Sequence, residues 1–136
     1  MELMKYISSG ITIGVVDERG ELSAMYKGKA ENDLGIRTDV LNNIKKSIGI
    51  EMIIRSMSPK VIACDEIGDE DDVRAINYAL CSGVKGIYTA HGSNIDTLKL
   101  NPIFSNMIYL KLFEKIIFLD EKKKGNVKNI VVLNSL

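Results

Sequence analysis

Val61-Ile62-Ala63-Cys64-Asp65-Glu66-Ile67-Gly68 is the stretch on which the fold turns. Four small or apolar residues run into two adjacent carboxylates and a glycine. An apolar run this short, bounded by turn residues, reads as a strand buried on both faces, as in a parallel sheet. In open parallel α/β sheets, ligands gather at the carboxyl ends of the strands, where Asp65 and Glu66 fall. Two carboxylates at such a place suit a magnesium–nucleotide site. One anchors the metal, and the other orients or deprotonates an attacking water.

The rest of the chain supports this reading. Ile11 to Val16 is a second apolar, β-branched run, and it delivers Asp17, Glu18 and Arg19 to its end. Val84 to Thr89 is a third, ending at His91-Gly92-Ser93. Helical patterns lie around and between these strands. Met1 to Ser9 places Leu3, Met4 and Ile7 on one face. Thr38 and Asp39 are plausible caps for a helix through Leu41, Ile44 and Ile48, which Gly49 interrupts. A further helix through Ile50, Ile53, Ile54 and Met57 is stopped at Ser58-Pro59. Val73, Ile76, Ala79 and Leu80 point inward from a helix ending at Gly83. Short helices are expected over Asn94–Leu100 and from Asn101-Pro102. Lys115–Asp120 and Val127–Leu133 read as two strands of a hairpin, with Glu121–Asn126 between them. Tyr26–Asp33 reads as an exposed loop. The expectation is an α/β domain over 1–136, with a mostly parallel sheet, helices on both faces and a C-terminal β-hairpin.

Composition narrows the function classes. With 46% apolar and 26% charged residues the chain has an ordinary globular make-up. Formal net charge is zero, so nothing suggests a nucleic-acid or anionic-membrane footprint across the whole domain. No apolar run approaches the ~20 residues of a membrane span, which points to the cytoplasm and to membrane contact only through partners. Cys64 and Cys81 lack CxxC spacing and read as small core residues.

The chemical candidates each have a plainer alternative. Asp65-Glu66 and Asp17-Glu18 end two buried strands and can converge on one crevice; they can also cap turns, with Arg19 as a partner for the second pair. His91, the one histidine, follows a strand expected beside that of Asp65. There it can donate to a phosphate or sense its loss. Asp69 to Asp72 read better as the first turn of a helix, complementing its dipole, than as a metal cluster. Arg37 and Arg55 are expected near the crevice edge, as surface ion-pair residues or as groups that stabilise phosphoryl charge in their own or a neighbouring subunit. Lys122 to Lys124 read as a solvated charge run. A carboxylate-rich metal site for phosphoester hydrolysis, built on Asp17, Glu18, Asp65 and Glu66, is a weaker possibility. No phosphate loop of the form GxxxxGK[ST] occurs in the 136 residues, and Lys27-Gly28-Lys29 lacks its other residues.

Five segments in order carry a resemblance: Val15–Arg19, Asn32–Leu41, Ile54–Pro59, Asp65–Gly68 and Thr89–Gly92. Together they resemble the stage III sporulation AA family, ATPases of endospore-forming bacteria similar to type II and type IV secretion ATPases. The likeness is clear from about Ile13 to Leu100. It implies an incomplete RecA-like P-loop ATPase core, the C-terminal part of a longer protein whose P-loop precedes this segment. By the same resemblance Asp65 and Glu66 match Walker B, with Glu66 the catalytic carboxylate. Asp17 and Glu18 match the acidic box that helps hold Mg2+ through water and orients the catalytic water. His91 matches the histidine box, Thr89 of the same motif falls with cofactor binding, and Arg37 and Arg55 contact phosphate. The implied cofactors are ATP and Mg2+. The implied partners are further copies of the chain, hexameric rings in relatives, and membrane-embedded sporulation proteins, with the work done on the mother-cell side of a channel to the forespore. Without a P-loop the chain alone is expected to be inactive. A non-enzymatic, self-associating assembly module is the alternative.

Overall fold

The computed structural model describes residues 2–133, and of residues 2, 5 and 6 the backbone alone. The elements are α1 (Glu2–Ser8), β1 (Ile13–Asp17), β2 (Met25–Tyr26), β3 (Lys29–Ala30), β4 (Thr38–Asn42), α2 (Lys46–Met57), β5 (Val61–Cys64), α3 (Glu70–Cys81), β6 (Lys85–Tyr88), α4 (Ile95–Leu100), α5 (Pro102–Tyr109), β7 (Lys115–Leu119) and β8 (Val127–Val132). They fall into two compact units, divided after Ala90. Among the described residues no helix is long and apolar enough to cross a membrane. The expected helix start at Met1 lies outside the described residues.

The first unit is an α/β layer structure around a four-stranded, all-parallel sheet in the order β4-β1-β5-β6. Every residue of β1 and β5 is buried, as two-sided coverage requires. Strand alternation divides their side chains between two faces. On one, Ile13, Val15, Val61 and Ala63 pack with Met4 and Ile7 of α1 and with Leu34. On the other, Gly14 meets Ile53 of α2, and Val16 meets Gly49. Helix α3 packs on α2.

Several sequence expectations are corrected. Thr38–Asn42 is not the start of a helix but the edge strand β4, paired in register with β1 from Ile13↔Thr38 to Asp17↔Asn42. The spacing of Leu41, Ile44 and Ile48 mimics a helical face. The unpaired edge of β1 decides otherwise, because buried backbone groups need partners. Tyr26–Asp33 holds a two-residue ribbon, Met25↔Ala30 and Tyr26↔Lys29. Leu3 and Leu80 are exposed, not inward. Cys81 is exposed as well, while Cys64 is buried as expected.

Gly49 does not interrupt a helix; α2 runs through it to Met57 and ends at Ser58 in the left-handed conformation. The glycine is there for the close approach of helix to sheet. A Cβ at position 49 would lie 2.5 Å from Val16 Cγ1 and 3.0 Å from Ile44 Cγ2. Gly49→Ala therefore sets a helix-propensity gain of about 1 kcal/mol against overpacking of about 1–3 kcal/mol. Val16 is β-branched and fully buried, so it cannot yield, and overpacking wins. A net loss of about 1 kcal/mol is expected in thermal unfolding followed by circular dichroism; a raised midpoint would contradict the packing described.

The second unit holds α4 and α5, capped by Asn94 and Asn101 as the sequence suggests, and the antiparallel hairpin β7–β8. Leu98, Phe104, Met107, Leu112, Phe118 and Leu133 are its buried apolar residues.

Candidate functional site

Parallel pairing of β1 with β5 sets Val16 opposite Cys64, so the next residues, Asp17 and Asp65, emerge side by side at the carboxyl edge. Both continue the Val15/Ala63 face of the sheet. Both are buried, Asp17 at 0% and Asp65 at 7% exposure.

Their surroundings differ. The loop after β1 folds back onto the Asp17 carboxylate: Leu22 N donates to Oδ1 at 3.2 Å, and Ser23 N and Ser23 Oγ donate to Oδ2 at 2.7 and 2.6 Å. Burial pushes the Asp17 pKa up, but these hydrogen bonds to the ionised form outweigh it and hold the group below the ordinary carboxylate range. Asp65 moves the other way. Burial raises its pKa, its own backbone N–H opposes this, and the neighbouring Asp17 charge raises it further. Asp65 Oδ2 is buried and has no hydrogen-bond partner among the described residues. Buried polar atoms are nearly always paired, so this oxygen is an unsatisfied acceptor at the strand end.

The second carboxylate of each pair turns elsewhere. Glu18 falls on the α2 side of the sheet, where its Oε2 lies 3.3 Å from Lys46 Nζ and accepts from Lys46 N at 3.3 Å. Helix α2 has no capping side chain of its own, and Glu18 supplies the anion its first turn lacks. Burial depresses the Lys46 pKa, but Asp72 and Glu18 more than compensate and raise it. Glu66 adopts a left-handed φ of 40°. Its N–H donates to Thr89 Oγ1 at 2.9 Å, and Ile67 N donates to Thr89 O at 2.9 Å. Thr89 thus fixes the backbone that presents Glu66. The Glu66 carboxylate is exposed and pairs with Arg19 Nη1 at 2.7 Å.

Other sequence candidates lie apart. Asp69 caps α3 in a capping box with Asp72, and Asp72 also accepts from Gly68 N at 2.9 Å. Asp71 pairs with Lys45 and Arg74. The acidic run is therefore a helix start, as the dipole reading holds. Arg37 and Arg55 are not near the carboxyl edge where they were expected. Arg37 precedes β4 and donates to Gly10 O at 3.4 Å, at the amino edge of the sheet. Arg55 lies beyond Ile53, which packs on Gly14, so it too faces the amino edge, beside Tyr78 and Glu51. His91 is exposed and opens the second unit. Among the described residues, no three His, Cys, Asp or Glu side chains are placed to hold a metal by themselves.

Sequence reasoning missed Lys46, Ser23 and the Arg19–Glu66 pairing. Lys46 had a signal: a lysine in the first turn of a helix opposes the dipole and calls for an anionic partner.

Fold and site together define a parallel α/β protein with a carboxylate cluster at the carboxyl edge of its central strands. Residues 2–134 match the family model described as "Sporulation stage III, protein AA". Stage III sporulation protein AA of Bacillus subtilis (strain 168) is 37% identical over 121 residues, covering 88% of this chain and 39% of the relative. The chain belongs to the sporulation stage III protein AA family and spans about two fifths of that relative's length.

Proposed function

We propose that the chain forms the carboxylate wall of an ATP-hydrolysing site that serves sporulation. The observation that carries the reading is the partnerless, buried Asp65 Oδ2 beside Asp17 at the carboxyl edge of parallel strands. Mg2+ is held in such sites by one or two carboxylates, waters and substrate phosphates, without a full protein cage. A single free carboxylate oxygen with an ionised neighbour fits that demand. It does not fit a stand-alone metal phosphoesterase, which needs several ligands from the protein. When bound, Mg2+ would neutralise charge developing on the phosphoryl oxygens. Asp65 is its principal ligand in this reading. Asp17, with most of its acceptor capacity taken by Leu22 and Ser23, supports it through water and by its charge.

Glu66 is the group that would orient the attacking water and take its proton. To do so it must leave Arg19. That exposed pair is worth no more than about 1 kcal/mol, so Arg19 is a weak hold. Glu18 is held by Lys46, and Thr89 sets the Glu66 backbone. Arg37 and Arg55, at the opposite edge, suit a site in a neighbouring copy better than their own, which accords with a ring-shaped oligomer. His91 is the proposed phosphate sensor. The partners we envisage are membrane-embedded sporulation proteins, for assembly or transport between mother cell and forespore.

The sequence has no GxxxxGK[ST] loop to cradle phosphates, so the chain by itself should release phosphate from Mg-ATP at the background rate. Mg2+ alone should shift the carboxyl 13C resonance of Asp65 more than that of Glu66. No Mg2+-dependent shift at Asp65 would remove the metal from the reading. Hydrolysis that Glu66→Gln abolishes would show that a cradle does form within the chain.

A second reading has one observation in its favour. Among the described residues β6 is the last strand of the sheet and is partly exposed, and a strand in that position can recruit another. Self-association through β6 would give an assembly module without catalysis. A mass that stays monomeric in light scattering at high concentration would exclude it.

A further inference from the structure

The hairpin β7–β8 is apolar on both faces. Ile116, Phe118 and Val131 share the inward face, with Phe118 buried. The outward face carries Ile117 opposite Ile130, Leu119 opposite Val127, and Val132 opposite Lys115. These five aliphatic residues are 44–61% exposed. The solvent face of an antiparallel pair is normally polar, so a contiguous apolar one marks a contact surface.

Charge says what kind. The chain is neutral as a whole, but residues 91–136 hold seven lysines against four acidic residues. Five of those lysines surround the apolar face: Lys115 at one end, Lys122, Lys123 and Lys124 in the hairpin loop at the other, and Lys128 at the register shift beside Val127. All five are exposed, and among the described residues none forms an ion pair. A second copy seated on this face would bring lysines against lysines. Protein interfaces are depleted in lysine and favour aromatic residues and arginine at their centre, whereas the centre of this face is aliphatic and lysines flank it. Aliphatic residues that enter the acyl boundary, ringed by lysines at headgroup height, match an anionic bilayer.

We propose that the outward face of β7–β8 docks directly on an anionic lipid surface, with Ile117, Leu119, Val127, Ile130 and Val132 inserted and the lysine rim on the headgroups. The test is flotation of the full chain with phosphatidylcholine vesicles, with and without phosphatidylglycerol. Binding is expected to the anionic vesicles only and to fall with salt. Replacing Lys122, Lys123 and Lys124 by glutamine leaves the apolar face intact and should weaken binding on the order of a hundredfold, at about fivefold per lysine. Ile117→Thr with Ile130→Thr keeps β-branched residues in the strands. With the circular dichroism spectrum unchanged, it should also abolish flotation. Absence of binding, equal binding to neutral vesicles, or binding indifferent to either variant would overturn the proposal. So would a dimer dissolved by the threonine pair in a chain that ignores vesicles, since the occupant would then be a second copy.

Discussion

Asp17→Ala is expected to destabilise the first unit by about 3 kcal/mol, a large share of the 5–15 kcal/mol that holds an ordinary domain folded. Its carboxylate is completely buried and accepts three hydrogen bonds, from Leu22 N, Ser23 N and Ser23 Oγ. Hydrogen bonds to a charged group contribute about 1.5–3 kcal/mol each, and truncation strands the donors. Water entering the space left by the side chain re-solvates the donors and recovers part of that sum, which brings the net loss down to about 3 kcal/mol. Asp17→Asn retains an acceptor oxygen, loses the charge and should cost about half as much. Urea unfolding at neutral pH measures both.

The pH dependence identifies the cause. The folded-state pKa of Asp17 is lowered, so the folded state binds its proton less readily than the unfolded chain does. Its contribution is complete above the unfolded value of about 3.9 and is lost as pH falls through that value toward the lower folded one. The gap between wild type and Asp17→Ala should therefore narrow below pH ~4. A gap that persists unchanged into acid would mean that packing, not the hydrogen-bonded charge, sets the cost.

The parts of this structure legible in the sequence are those where one signal acts alone. Val61–Cys64 is apolar throughout, and only a strand covered on both sides satisfies that. Asn94, Asn101-Pro102 and Ser58-Pro59 act through local backbone chemistry and mark helix ends where they stand. Thr38–Asn42 was not legible, because its side chains fit a helix as well as a strand. What selects the strand is the open edge of β1, some two dozen residues away in the chain. Gly49 misleads for a related reason: glycine weakens a helix in isolation, but here the close contact with Val16 outweighs that cost.

The site divides in the same way. Strand ends place Asp17 and Asp65, and alternation alone sends Asp17 and Glu18 to opposite faces. That the first is caught by Ser23 and the second by Lys46 depends on how the loop after β1 and the start of α2 return to the sheet. Strand register puts Arg37 at the amino edge, and the packing of α2 through Ile53 on Gly14 puts Arg55 there, which no spacing rule within their own segments reveals.

Asp65→Asn should do the reverse of Asp17→Ala: raise stability at neutral pH by about 1–2 kcal/mol while removing the chain's response to Mg2+. Asp65 carries a buried oxygen that has no partner among the described residues and lies beside a second carboxylate. Its folded-state pKa is raised, so its ionisation favours the unfolded chain. The contribution to stability is fully present below the unfolded value of about 3.9 and is lost as pH climbs through that value to the raised one. The wild type therefore bears a cost at neutral pH that it does not bear in acid. Asparagine has the same shape, never ionises, and offers an amide N–H to the side where Asp17 lies. Urea unfolding should find the variant more stable at pH 7 and the difference small near pH 3, where Asp65 is protonated in both states. Added Mg2+ should raise the unfolding midpoint of the wild type, by mass action on the folded state, and leave Asp65→Asn unmoved. An asparagine variant less stable than wild type at neutral pH would mean that the Asp65 carboxylate is satisfied where it stands. That oxygen would then hold no cation.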